Sequence, residues 1–220
     1  MKKEQIGEAV IMLIITIILA STICTAQNTG SDIMLKPSPD SLAKSLYYTL
    51  KNRHSSRDFA EHEVSLKDLS TILWAANGVN RATGRRTAPA PYGKNVVAIY
   101  VATKKAAYLY QPEHQRLKFV SYEVLNHRIG TQEDIQKASD VLILVGRIRE
   151  YPPIVSTNER IQMAHATAGC IAQNVYLAAN ALKLGTRLVE WINVKEIKRG
   201  LDLKDDEIPL YIMPLGYAKE

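Results

Sequence analysis

The chain has 220 residues, of which 46% are hydrophobic and 23% are charged. This is the composition of an ordinary globular protein and excludes a disordered or low-complexity chain. Because folding at this length removes about 70% of the unfolded surface, we predict one domain with one sizeable core. The formal net charge is +6, with Lys and Arg scattered along the chain. Such a distribution gives little support to a nucleic-acid-binding module. A mild positive charge is also compatible with a phosphate-bearing ligand, so charge alone does not decide between the two.

The N-terminal segment has the three parts of a secretory signal. Two lysines form a basic start, an apolar stretch covers 9–20, and small residues follow up to Ala26. We therefore predict a signal peptide over 1–26 and an exported protein, periplasmic or secreted. Two alternatives stay open: an uncleaved membrane anchor over 9–26, whose length is close to that of a membrane-spanning helix, and lipid attachment at Cys24.

The leader is followed by a predicted linker and one domain. Residues 27–38 are polar and carry Gly30 and Pro37, which predicts a linker before a domain over 39–220. Cys170 is the only cysteine in that domain. A single cysteine excludes an internal disulfide and a metal site built from several cysteines, and we predict no metal site. Because Cys170 lies among small apolar residues, we predict that its thiol is buried.

Capping residues and apolar periodicity predict five helices, and β-branched runs between turn residues predict the strands. The helices run from Asp40 or Ser41 to about Asn52, from Ser65 to Gly78, from a capping box at Thr131, over the alanine-rich stretch 157–184 with Gly185 as terminator, and from Asn193. The strands cover 96–102, 107–110, 117–120, 141–145, 188–192 and 208–215. Helices and strands interleave without a strict βαβ repeat, which indicates an α+β or α/β fold.

A basic segment follows the first predicted helix. It reads Arg-His-Ser-Ser-Arg-Asp-Phe over 53–59. Arg53 and Arg57 offer forked N–H donors and the serines add hydroxyls, a set that suits a dianionic phosphate. The same residues also fit a solvated basic helix end, which needs no ligand. Residue chemistry alone leaves both interpretations open.

The same segment resembles the N-terminal signature of nitroreductase-like FMN proteins. That resemblance implies that Arg53, Ser55 and Arg57 hold the phosphate and ribityl chain of FMN, and that His54 between them makes at most a backbone contact. It extends over about 41–218. It implies a three-layer α/β/α fold of the α+β class, with a central, mostly antiparallel sheet flanked by helices and one long central helix.

A second motif lies after the second predicted helix. Leu-Trp-Ala-Ala-Asn-Gly over 73–78, followed by Arg-Thr-Ala-Pro over 86–89, is similar to the branch of the family that contains thiazoline and oxazoline oxidases. The resemblance implies that Pro89, Ala90 and Pro91 pass beside the flavin ring. Ala90-Pro91 stands where that branch usually has Ser-Ala.

Two further motifs lie in the C-terminal half. Gly-Cys-Ile-Ala-Gln-Asn over 169–174 looks like the Gly-x-x-x-Gln-Asn of the family's dimer helix. Val189, Glu190 and Trp191 match the stretch whose backbone N–H approaches flavin N5, with tryptophan where glycine is common. The segment 209–217 resembles the closing strand of the fold.

Taken together, the resemblance implies an FMN-dependent oxidoreductase that forms a homodimer with FMN at the shared interface. A reduced donor of the NAD(P)H type would pass hydride through the flavin to a small organic acceptor such as a nitroaromatic or a quinone. No catalytic side chain is assigned. Two alternatives stay open: an azoline-type dehydrogenase, and a non-catalytic flavin-binding protein, which the departures at Ala90 and Trp191 motivate.

Overall fold

One seven-stranded sheet organises the protein, seen in a computed structural model that describes residues 30–219. The strands lie side by side in the order β1-β4-β3-β2-β5-β7-β6, and every neighbouring pair is antiparallel. Their bounds are β1 Ile33–Met34, β2 Val97–Thr103, β3 Ala107–Gln111, β4 Arg116–Ser121, β5 Asp140–Arg147, β6 Leu184–Thr186 and β7 Glu207–Tyr217.

Within residues 30–219, five α-helices flank the sheet: α1 Leu46–Asn52, α2 Leu66–Asn77, α3 Glu133–Lys137, α4 Thr157–Ala181 and α5 Val194–Gly200. Ser65 accepts the N–H of Asp68 and so caps α2, which ends at Gly78 as predicted. Ser156 and Glu159 form a capping box at the start of α4. The long central helix of the resemblance is therefore confirmed.

The two faces of the sheet carry separate apolar clusters. Alternate residues of β5 divide between them, with Leu142 on one face and Ile143 on the other. The first cluster includes residues of α2 and α4, and the second includes Ile135 of α3 and Ile197 of α5. Because helices cover both faces, β5 is apolar throughout rather than alternating. The three-layer α/β/α architecture is confirmed.

The first part of the domain differs from the prediction. A 3-10 turn over Pro39–Leu42 and a separate α1 replace one continuous helix. Ser45 causes the break, because its side chain accepts the N–H of Tyr48 and starts α1 anew. Within the predicted linker over 27–38, Ile33 pairs with Leu117 of β4, so this part of the linker is an edge strand.

Three further details are corrected. Gln132 rather than Thr131 precedes the first turn of α3, and no side-chain hydrogen bond caps this end; the carboxylate of Asp134, the acidic residue of the predicted capping box, binds Arg187 instead. Helix α4 ends before Lys183, which is left-handed with φ 61°, and Gly185 lies in β6 rather than ending the helix. Cys170 is exposed on α4 rather than buried.

The predicted leader over 1–26, including Cys24, lies outside the described residues. Among residues 30–219, no helix combines the length and the apolar character that crossing a bilayer requires.

Asp140 at the start of β5 predicts a pH-dependent stability. Its side chain is buried, and burial raises the pKa of its carboxyl from 3.8 to about 6, although the Ser139 hydroxyl donates to it. The carboxyl group of Asp140 therefore binds its proton more tightly in the folded protein than in the unfolded chain. The free energy of unfolding should therefore fall by about 3 kcal/mol as the pH rises from about 4 to about 6.

Urea unfolding of the wild type and of Asp140→Asn across this pH range checks the expectation. The substitution should remove the fall, because the amide does not titrate. Equal pH dependence in both proteins would contradict the role of this carboxyl.

Candidate flavin site

The basic segment 53–57 leaves the end of α1 and lies against β6. The N–H of Ser56 donates to the carbonyl oxygen of Thr186 at 3.0 Å, and Ser56 is buried. Gly185 permits this approach, because a Cβ there would lie only 2.7 Å from the Cβ of Ser56. The segment is thereby fixed beside the chain that leads to Val189.

Tyr176 on α4 joins two parts of the predicted site. Its hydroxyl oxygen accepts the N–H of Leu188 at 2.7 Å and lies 3.1 Å from the hydroxyl of Ser55. The guanidinium of Arg53 lies over its ring, with Cζ 5.1 Å from the ring centroid, in a cation–π arrangement. Since the tyrosine hydroxyl already accepts one N–H, its own proton is available to Ser55. One side chain thus positions both the basic segment and the backbone at Leu188.

A cavity of about 460 Å³ opens where these parts of the chain meet. Arg57 lines one side of it, the run 187–191 another, and Gln132 with Asp134 a third. The Oε1 atom of Gln132 is buried and has no hydrogen-bond partner among the described residues. Such an acceptor costs free energy unless a ligand or water satisfies it.

The buried charge in this wall is paired within the chain. Nε and Nη2 of Arg187 donate to the two carboxylate oxygens of Asp134 at 2.6 and 2.8 Å. Their side chains are only 8% and 11% exposed. Because Arg187 is neutralised by its own carboxylate, the exposed Arg57 is the cation best placed to meet an anionic ligand at this cavity.

Some backbone N–H groups between residues 188 and 191 form hydrogen bonds within the chain, and others do not. Val189 is buried, and its N–H donates to the carbonyl of Ile212 at 2.9 Å. Glu190 and Trp191 are exposed, and neither N–H takes part in a backbone hydrogen bond within the described part of the chain. A backbone N–H that this run donates to a ligand therefore has to come from Glu190 or Trp191.

Two other predicted contacts lie apart from the cavity. His54 is exposed, and its Nδ1 lies 2.9 Å from the carbonyl oxygen of Asn52, which turns the ring back toward α1. Pro89, Ala90 and Pro91 precede β2, and the first two line a different cavity. Within a single chain, the described structure does not bring this proline segment to the cavity at Arg57.

Comparison with known protein families identifies the family to which this chain belongs. The model of the family described as "Nitroreductase family" matches residues 50–217, which include the basic segment, Tyr176 and the run 187–191. The chain belongs to the nitroreductase family. This membership makes it an oxidoreductase.

Individual relatives agree with the family. The chain is 32% identical over 188 residues to a protein of Methanocaldococcus jannaschii described as "putative nitroreductase", covering 81% of this chain and 93% of that protein. A crystal structure from Ralstonia eutropha with the same description is 33% identical, with a TM-score of 0.79 over 89% of this chain and 93% of that chain. An FMN-dependent nitroreductase of Clostridium difficile shares the fold at 18% identity, with a TM-score of 0.55 over 80% and 88% of the two chains.

Four residues of the candidate site were not predicted from the sequence: Tyr176, Gln132, Asp134 and Arg187. Tyr176 follows the motif over 169–174 by two positions, and a single tyrosine in an alanine-rich helix was a usable signal. The pair of Asp134 and Arg187 had no such signal, because the two residues are 53 positions apart.

Proposed function

We propose that the protein is an FMN-dependent oxidoreductase, which takes hydride from a donor of the NAD(P)H type and reduces a small organic acceptor such as a nitroaromatic or a quinone. The observation that carries this proposal is the Tyr176 network. It holds Ser55 and Arg53 next to Leu188 at the cavity that Arg57 lines.

The donor set fits FMN. Arg53 and Arg57 supply charge and forked N–H groups, and Ser55 supplies a hydroxyl, which together suit a terminal phosphate. The unpartnered Oε1 of Gln132 is an acceptor for a ring N–H. The cavity volume of about 460 Å³ lies within the usual range for cofactor sites.

The chain's own residues would bind and orient the cofactor rather than carry the redox chemistry. FMN, when bound, supplies hydride chemistry. The N–H groups of Glu190 and Trp191 are donors that can stabilise negative charge on a ring. The ion pair of Arg187 and Asp134 holds in place the backbone run 187–191, to which these two N–H groups belong. No side-chain acid or base is required by this scheme.

A homodimer accounts for the separation of Pro89, Ala90 and Pro91 from the cavity. We propose that these residues of one copy meet the cavity of the second copy, so that each site is shared. Exposed apolar side chains support an interface, since Leu46 and Tyr47 on α1 are 64% and 72% exposed. Light scattering on the purified protein tests this, and a monomer that retains flavin would contradict it.

The predicted leader adds a proposal about location. We propose that the protein is exported, with residues 1–26 cleaved or retained as an anchor, and that the membrane is contacted through this segment alone. No nucleic acid partner is proposed. Cell fractionation, with the N-terminus of the product determined, tests export, and an intact protein in the cytoplasm would contradict it.

Turnover assays separate the proposed function from its alternatives. Purified protein is mixed with NADH or NADPH and with a quinone or a nitroaromatic compound, and nicotinamide oxidation is followed. Oxidation that depends on the acceptor supports the proposal. Bound flavin that reduces no acceptor but oxidises an azoline substrate favours the azoline-type dehydrogenase. Bound flavin without turnover by any donor favours the non-catalytic protein.

Tyr176→Phe gives a direct prediction about this network. The variant keeps the ring under Arg53 but loses the bonds to Ser55 and Leu188. We expect FMN affinity to fall by about tenfold, which corresponds to one or two hydrogen bonds. Quenching of flavin fluorescence measures the affinity. The matched control is Tyr217→Phe, which removes a 2.6 Å hydrogen bond from its hydroxyl to Asp68; neither residue lines the cavity, and the change should leave the affinity unchanged. Equal affinity in both variants would contradict the role of Tyr176.

A further inference from the structure

The loop over 79–95, between α2 and β2, is strongly basic. It contains Arg81, Arg85, Arg86 and Lys94 and no acidic residue. The three arginines line a cavity of about 520 Å³, and none of the other lining residues is acidic. A concave surface lined by charge of one sign attracts and concentrates small ions of the opposite sign.

Hydrogen bonds hold this loop in a defined hairpin. The N–H of Asn80 donates to the carbonyl of Arg85 at 3.0 Å, and the N–H of Gly84 donates to that of Arg81 at 2.9 Å. Gly84 takes the left-handed conformation, with φ 76°, that the tight turn needs. The guanidinium of Arg81 also donates to the carbonyl of Arg86 at 3.1 Å. The arginines are therefore displayed on an ordered backbone, which lowers the entropy cost of binding a ligand between them.

Arg86 adds a second, independent observation. Its side chain is 12% exposed, and one of its terminal nitrogens is paired with Glu113. Its Nε is buried and has no partner within residues 30–219. A buried guanidinium N–H without an acceptor is costly, and Arg86 lines this cavity as well as the neighbouring one that Glu113 lines; an anion bound beside Arg86 would relieve that cost.

We propose that this cavity binds a small, multiply charged anion of the phosphate type, either free or carried by a nucleotide. The ligand lies between Arg81 and Arg85 at the rim and Arg86 in the wall. Pro89 and Ala90 share the same wall. If the anion belongs to the electron donor or acceptor, that assignment rests on the proposed function. The anion site itself does not rest on it.

Calorimetric titration of the full-length protein with inorganic pyrophosphate tests the site. Arg85→Gln is the test variant, because Arg85 is exposed and its replacement should leave the fold intact. Arg149→Gln is the matched control, since Arg149 is 75% exposed and faces Asp206 instead. We expect Arg85→Gln to weaken binding by about tenfold and to reduce its salt dependence, with no change in the control. A parallel titration with ADP shows whether a nucleotide carries the anion, since ADP that binds more tightly than pyrophosphate indicates a nucleotide.

The titration is run on flavin-free and on FMN-loaded protein, which separates this proposal from the proposed function. Pyrophosphate binding in a protein that takes up no FMN supports the anion site and removes its link to flavin chemistry. Three results would overturn the site: no heat of binding, equal weakening by Arg85→Gln and Arg149→Gln, or displacement of pyrophosphate by FMN. The last would place the arginines in the flavin phosphate site itself.

Discussion

Arg53→Ala is expected to weaken FMN binding by about tenfold to a hundredfold, because one cationic partner of the phosphate is lost and charge-assisted hydrogen bonds are the strongest of their kind. The side chain is partly buried over the ring of Tyr176, so its position is fixed before the ligand arrives. Equilibrium dialysis, with the flavin counted by its absorbance, measures the change.

Two variants make this expectation specific. Arg53→Lys keeps the charge but loses the planar fork, and an intermediate affinity is expected. Arg149→Ala removes an exposed arginine that is 75% solvent-accessible and should leave FMN binding unchanged. Unchanged retention in Arg53→Ala would show that the segment 53–57 is a solvated helix end rather than a phosphate site.

Asp134→Ala should lower the free energy of unfolding by about 3 to 5 kcal/mol, because it leaves the charge of Arg187 buried without a partner. Arg187 is 7% exposed, so water reaches it poorly. The same change should loosen the run 187–191 and weaken FMN binding. Urea unfolding followed by circular dichroism measures the stability.

The control for this change lies one position away. Glu133 also forms an ion pair, with Lys137 at 2.9 Å, but the side chains of Glu133 and Lys137 are 78% and 63% exposed. Glu133→Ala should therefore cost at most about 1 kcal/mol. The double change Asp134→Leu with Arg187→Met should recover most of the stability, since an apolar pair often replaces a buried ion pair at little cost. Equal losses for Asp134→Ala and Glu133→Ala would contradict this interpretation.

Elements with strong local signals could be predicted from the sequence. Ser65 and Gly78 bracket α2 because capping depends on residues within one turn. The apolar run of β5 was predictable because both of its faces are covered. The hairpin of β3 and β4 follows from two short runs around a turn that contains Pro112. In each case local chemistry and tertiary packing favour the same structure.

The errors arise where a distant contact changes the role of a residue. Gly185 has the sequence position of a helix terminator, yet it serves the close approach of Ser56. Asp134 fits a capping box, yet Arg187 takes its carboxylate. Cys170 has the neighbours of a core residue, but it lies on the face of α4 that the described chain leaves uncovered. No local pattern distinguishes these cases.

The candidate site was predicted in part. Arg53, Ser55 and Arg57 were named from a local motif, and the structure places their segment beside the run 187–191. Tyr176 was not named, because its role depends on hydrogen bonds to Ser55 and Leu188, which lie 121 and 12 positions away in the sequence. The proline segment at 89–91 lies at a separate cavity, which a motif cannot reveal because it carries no distance information.

The central claim, that the protein binds FMN, is tested most directly by the visible absorption spectrum of the purified full-length protein after desalting, recorded with and without added FMN. The account predicts a flavin spectrum that survives desalting, shifted from that of free FMN by the protein surroundings. A colourless protein that takes up no FMN would contradict it, and would leave a nitroreductase fold put to another use.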